Sequence, residues 1–233
     1  MQNETMTLEQ LASYLKRDVR EVSKLASRGQ LPGQKIGGEW RFSSVEINHW
    51  LETQMHGYTE QQLTVVESGP GRGGDDEPLI AELLSTETIA VPLPATTRAS
   101  VIQELVRLAG RSWKVYDTVA ILMAVKHRED LASTALESGV AIPHPHRPLP
   151  ETVIAESLIA FGRTSTGIPF GPGGAECDLF FLVCCTHSPL HLRVLARLSR
   201  LILRPGFVED LRGAETAGEA YQVIEAAERD LIV

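Results

Sequence analysis

Apolar residues recur at helical spacing from the start of the chain. Leu8, Leu11, Ala12 and Leu15 share one face, with Thr7 and Gln10 placed as a capping pair, and this predicts a helix over 7–16. Asp18 and Glu21 repeat the capping logic ahead of Val22 and Leu25, and Gly29 supplies a stop, so a second helix is expected over 19–28. The couple of residues between them suit the turn of a helix-turn-helix. Residues 33–42 alternate around Gly37 and Gly38, the signal for a two-residue hairpin, or wing. Ser43 or Ser44 then caps a third helix carrying Val45, Ile47, Trp50 and Leu51, with Trp40 and Trp50 as expected core anchors.

Beyond residue 78 periods of two and of 3.6 alternate. Short strands are expected over 88–93, 139–144 and 152–161, and one buried on both faces over 178–185. Helices are expected over 100–108, around Val115 to Lys126, over 189–203 with Ser188 as cap, and over 217–229 capped by Thr216 with Glu219. The fold class is therefore α/β, a mixed sheet flanked by helices, preceded by a small winged helix-turn-helix. The glycine-rich, acidic run from Ser68 to Pro78 divides the two. The expected domains are 1–60, a connecting segment 61–78, and 79–233.

Composition narrows the function classes. With 43% hydrophobic and 22% charged residues and no long apolar run, the chain reads as an ordinary globular protein with no membrane span. Without a signal-like start it is expected in the cytoplasm. The net charge of −8 argues against a protein built wholly to coat nucleic acid. Residues 1–55 hold seven basic and seven acidic residues, so DNA affinity would have to come from charge clustering on one face; a monomer is expected to bind weakly, and a homodimer on a palindromic site is the expected binding form. The candidate DNA-contacting residues are Arg20, Ser23, Lys24, Ser27 and Arg28 on the second helix and Lys35 and Arg41 at the wing, with a solvated helix face as the plainer reading. Cys177, Cys184 and Cys185 lack metal spacing and read as packing.

The candidate chemistry of the second domain gathers at His144 and His191. His144 ends a predicted strand between Pro143 and Pro145, which implies a stiff, exposed imidazole, and His191 points inward from a helix N-terminus. Arg128 and the hydroxyls of Ser133 and Thr134 suit phosphate oxygens. His146 reads as a solvated loop residue. A metal site at His144, His146 and His191 is disfavoured, because no carboxylate or thiolate completes it nearby in the sequence.

Two resemblances sharpen these expectations. Leu31-Pro32, the wing ending Trp40-Arg41-Phe42 and the helix ending His49-Trp50-Leu51 resemble the excisionase-like winged helix-turn-helix family, related to the MerR type. That family implies double-stranded DNA as partner, with the second helix in the major groove. His127 to Thr134, followed after four residues by Gly139-Val140-Ala141-Ile142-Pro143-His144, resembles the type-2 enzyme IIA signature of the sugar phosphotransferase system, the fructose, mannitol and nitrogen-regulatory group. Asp178-Leu179-Phe180-Phe181 and His191-Leu192 extend the likeness. By this resemblance His144 matches the phosphoryl-accepting histidine, His191 the supporting one and Arg128 the phosphate-side arginine. The donor is then the phosphocarrier HPr or its nitrogen-branch relative, with no cofactor. The implied function is a phosphotransferase-linked regulator, a phosphohistidine carrier coupled to a DNA-binding module. The family has a small residue after the acceptor, whereas here Pro145 removes a backbone N–H. That departure keeps open a second class, a non-catalytic interaction protein with a degenerate IIA domain.

Overall fold

The computed structural model describes residues 5–55, 57–69 and 79–232. Strand β1 (Thr5–Met6) leads into α1 (Leu8–Leu15), where Thr7 and Gln10 form the expected reciprocal capping box. Lys16 turns the chain in the left-handed region (φ 52°), and α2 (Val19–Ser27) starts with the Asp18 carboxylate accepting from the Arg20 amide at 2.8 Å. The wing pairs β2 (Gln34–Ile36) with β3 (Glu39–Ser43), and Gly37 and Gly38 both take positive φ (62° and 88°), as a tight hairpin requires. β1 adds to the other edge of β3. Helix α3 (Ser44–Met55) closes the module.

Its core is Leu11, Val22, Phe42, Ile47 and Leu51. The expected anchors Trp40 and Trp50 are only half-buried, and Trp40 stacks on Phe42 at 5.8 Å. Two residues apart on β3, the two rings share one face of the sheet, with Phe42 at the centre of the core and Trp40 at its edge.

The segment 61–78 departs from expectation at its beginning. Residues 60–67 form α4 (Glu60–Glu67), capped by a Thr59–Gln62 box, and residues 70–78 lie outside the described part. Leu63 is fully buried where α4 packs along a long helix of the second domain. A stretch that looks like connecting chain is helical because its one apolar face finds that partner.

The second domain begins with α5 (Ile80–Leu83) and β4 (Ile89–Ala90), followed by α6 (Arg98–Ala109), α7 (Thr118–Leu131) and β5 (Val140–Ala141). The long strands β6 (Leu158–Pro169) and β7 (Glu176–Cys184) come next, then α8 (Ser188–Leu203), α9 (Phe207–Gly213) and α10 (Ala217–Leu231). The sheet order is β4-β6-β7-β5, with β6 antiparallel to β7 and the two short strands parallel to their neighbours, so the sheet is mixed as expected. Alternate residues of β7 feed two cores. Phe180, Leu182 and Cys184 face the α6–α7 side, and Leu179, Phe181 and Val183 face the side of α8, α9 and α10.

Several boundaries shift. Residues 152–157 are not a strand: Val153 bonds back to Pro150, and Ile154 bridges to Val115, so their apolar side chains bury through a turn and β6 starts only at Leu158. The strands expected over 88–93 and 139–144 shrink to two residues each, because Pro92 and Pro143 offer no ladder N–H. At α8 the N-cap is His187, with Ser188 already helical.

Candidate functional site

β5 delivers His144. Gly139 precedes it at φ 82°, where a Cβ would stand 2.6 Å from Arg212 Nη2, and Arg212 is itself paired with Asp178 at the start of β7. The Val183 amide then donates to the Pro143 carbonyl (3.0 Å), holding the chain beyond β5 against β7. His144 Nδ1 lies 2.7 Å from the Ile142 carbonyl, which can only accept, so the proton sits on Nδ1 and Nε2 carries the lone pair in the neutral ring. His191, in the first turn of α8, faces it with ring centroids 5.0 Å apart.

Arg128 comes from the last turn of α7, its guanidinium held by a bond to the Ala132 carbonyl (2.8 Å) while Nε has no hydrogen-bond partner. The three groups singled out from the sequence are thus brought together. The two hydroxyls are not. Ser133 Oγ donates to the Phe170 carbonyl (3.0 Å), and Thr134 Oγ1 donates to the buried Glu129 carboxylate (2.7 Å), which also accepts from the Thr134 amide. They fasten the loop after α7 instead of facing a ligand.

The centre of the site is a residue that sequence reasoning missed. Glu52 of α3, from the first module, inserts its carboxylate between the two histidines. Oε1 accepts from His191 Nε2 at 3.1 Å, Oε2 lies 3.4 Å from His144 Nε2, and Arg128 Nε stands 3.9 Å from Oε2. His49, one turn earlier, places Nδ1 3.5 Å from Oε2 and meets the half-buried His146 edge-on at 4.9 Å. His144 is therefore buried (4% exposed), not the exposed imidazole expected, and His146 is no free loop residue. The only hint in the sequence is that Glu52 lies between Leu51 and Met55, both core residues, on a face continuous with them.

The electrostatics follow from one buried anion among several donors. Burial opposes ionisation of Glu52, but the surrounding imidazoles, of which protonated His191 donates directly to Oε1, outweigh it and hold the carboxyl far below its ordinary range. Burial likewise opposes charge on His191, yet hydrogen bonds to Cys185 and Glu52 raise it to about 9. For His144 burial wins and lowers the pKa, with Glu52 only partly offsetting. The imidazoles shift in opposite directions because one charge suffices against one carboxylate: His191 is the cation and His144 the neutral base.

Ligand atoms of Glu52, His144 and His191 lie within 4.8 Å of one another, so the first module supplies the carboxylate that a metal site lacked in the sequence. Protonated His191 and the Arg128 guanidinium already balance that carboxylate, and the set fits an oxyanion better than a cation.

The candidate DNA-contacting face lies elsewhere. Arg20, Lys24, Ser27 and Arg28 are exposed on α2, and Ser23 is half-buried with its carbonyl accepting from Ser27 Oγ. Lys35 is exposed over the Trp40 ring at 5.2 Å, and Arg41 pairs with Glu39 at 2.8 Å. Among the described residues no helix is long and apolar enough to cross a membrane.

Comparison with known proteins places both parts. Residues 82–227 match the family described as phosphoenolpyruvate-dependent sugar phosphotransferase system, EIIA 2, and residues 5–55 match a helix-turn-helix domain. The chain is 30% identical over 148 residues to the fructose-specific EIIABC component of Bacillus subtilis, covering 62% of this chain and 23% of that protein. It is also 30% identical over 148 residues to a nitrogen regulatory protein of Bradyrhizobium diazoefficiens, covering 62% of this chain and 94% of that one. Among solved structures, nitrogen regulatory protein IIA-Ntr from Neisseria meningitidis superposes with a TM-score of 0.57 at 25% identity, over 63% of this chain and 99% of that one. IIA mannitol from Escherichia coli shares the fold, with a TM-score of 0.53 at 19% identity over 60% and 98% of the two chains. With the match spanning well over half of its residues, this chain belongs to the EIIA type-2 family of the phosphotransferase system and carries a helix-turn-helix domain ahead of it.

Proposed function

We propose that the protein is a phosphotransferase-linked regulator in which His144 accepts a phosphoryl group from HPr or its nitrogen-branch relative and the helix-turn-helix domain binds duplex DNA. The observation that carries this reading is the convergence of His144 Nε2, His191 Nε2 and Arg128 on a single carboxylate, an arrangement equally suited to phosphoryl oxygens. The Nε2 lone pair of neutral His144 attacks phosphorus as the bond to the donor's histidine nitrogen breaks; the donor ring, protonated on its other nitrogen, leaves as a neutral imidazole, and the positive charge passes to phospho-His144, which keeps its Nδ1 proton against the Ile142 carbonyl. His191, protonated, and Arg128 face the oxygens on which charge is carried. Names of relatives support the donor class and no particular sugar.

Incubated with phosphorylated carrier, the protein gains an acid-labile, base-stable label, and His144→Ala does not. His191→Ala is labelled more slowly by about a hundredfold, the scale of losing one positioned donor. A label retained in His144→Ala removes the assignment. Absence of label from the wild type and from every variant favours the other class, a degenerate IIA domain that binds partners without carrying phosphate, for which Pro145 after the acceptor position is the supporting feature. Selection from random duplexes at low salt tests the DNA-binding half.

A further inference from the structure

We propose that Glu52 is a resident competitor of the phosphoryl group: it closes the winged helix over His144, and transfer to His144 both requires and then enforces its departure. The inference deepens the reading above and rests on His144 being the acceptor.

The geometry leaves room for one anion. A phosphorus atom bonded to His144 Nε2 would stand between that nitrogen and Glu52 Oε2, which are only 3.4 Å apart. The adjoining cavity, lined by Glu52, Arg128, Thr134 and His144, measures about 20 Å³, space for a single water. The same donors serve either occupant, since His191 Nε2 already bonds Oε1 and Arg128 Nε stands beside Oε2. A phosphoryl group brings close to two negative charges, and a carboxylate at this distance in a buried site repels it.

Glu52 cannot leave alone. The helix that carries it holds Ile47 and Leu51 in the core of the first module, and Asn48 on the same face accepts from the Tyr14 hydroxyl at 2.7 Å. Its departure moves the module as a body and lifts Met55 from the second domain. A donor protein also needs His144 accessible, and in the closed form α3 covers it. The reactive species is therefore the open form, and its population scales the rate. The cations Arg20, Lys24 and Arg28 stay exposed in the closed form, so opening changes where the DNA-binding helix sits relative to the EIIA domain without uncovering it.

The test compares the full chain with Glu52→Gln, which keeps the shape, and Glu52→Ala, using a phosphorylated HPr-type carrier and the initial rate of labelling. Hydrogen exchange of α3 and the first turns of α8 is followed in the wild type before and after labelling, a readout that needs no substitution. The expected result is labelling of Glu52→Ala on the order of tenfold faster than wild type, Glu52→Gln in between, and faster exchange at both helices in the labelled wild type. Labelling of both variants at or below the wild-type rate, or exchange unchanged by labelling, overturns the proposal while leaving the acceptor assignment standing. No label in the wild type or either variant removes the acceptor assignment and this proposal with it.

Discussion

Glu52 and Glu67 are both carboxylates of the first module and its following helix, and both are buried against α8, yet they meet different chemistry. Glu67, at the end of α4, is held by the guanidinium of Arg197 and by Arg200 at 2.7 Å. Arg197 in turn bonds Glu228 of α10 at 3.0 Å, whose carboxylate accepts the amides of Leu79, Ile80 and Ala81. Guanidinium groups keep their charge at any ordinary pH and, protonated, offer no free lone pair as a nucleophile. Glu52 instead faces imidazoles, whose charge depends on pH and whose nitrogen is a nucleophile. The Glu67 contact is a fixed clamp, whereas the Glu52 contact responds to conditions, and one interface carries both.

The contrast breaks most visibly at the clamp. Arg197→Leu leaves Glu67 and Glu228 buried without their shared cation, and should cost about 3–5 kcal/mol in urea unfolding of the full chain. Glu52→Ala should cost less, about 1–3 kcal/mol, because His191 can release its proton once the anion is gone, and only the Arg128 guanidinium, still bonded to the Ala132 carbonyl, keeps a charge there. Equal losses for the two variants would erase the distinction between clamp and responsive contact.

A pH profile sharpens the same comparison. His191 is raised from an ordinary 6.5 to about 9, so its contribution is fully present below about pH 6.5 and is lost as pH rises through about 9. Two groups act on the acid side. His144, held neutral, penalises the folded state as pH falls below about 6.5, and Glu52, with its depressed pKa, loses its contribution below about 4.5. Stability should peak near pH 6.5, and His191→Gln should flatten the alkaline limb when unfolding is measured from pH 6 to 10. The smallest effect on stability is expected on α2. Neutralising Arg20, Lys24 and Arg28 should change unfolding by no more than about 0.5 kcal/mol, while the salt dependence of DNA binding loses about one unit of slope per phosphate contact removed.

What could be read from residues and what could not divides along the range of the interactions. Thr7 with Gln10, Asp18 and Thr216 announce their helices because capping is settled within four residues, and Gly37-Gly38 announces the wing for the same reason. The doubly buried β7 is visible as an uninterrupted apolar run. The strand expected over 152–161 misleads because apolar residues bury equally well in a turn bridged to Val115. Ser133 and Thr134 have the right chemistry for phosphate, but a hydroxyl bonds whichever acceptor is nearest, and here that is Phe170 and Glu129.

Periodicity, backbone sterics and motif spacing are enough to mark the two parts, the local caps and turns, and the trio His144, His191 and Arg128. What stands among that trio is settled by packing. Glu52 lies 92 residues from His144 and 139 from His191 along the chain, and nothing in its local pattern says which surface its helix will meet. Its placement depends on the docking of α3 and α4 along α8, a sum of Leu63, Met55 and the Arg197–Glu67 contact that no short window contains. The donors that packing gathers around it keep an ordinary helix glutamate ionised against the cost of burial, and both the donors and the burial are properties of the packed whole.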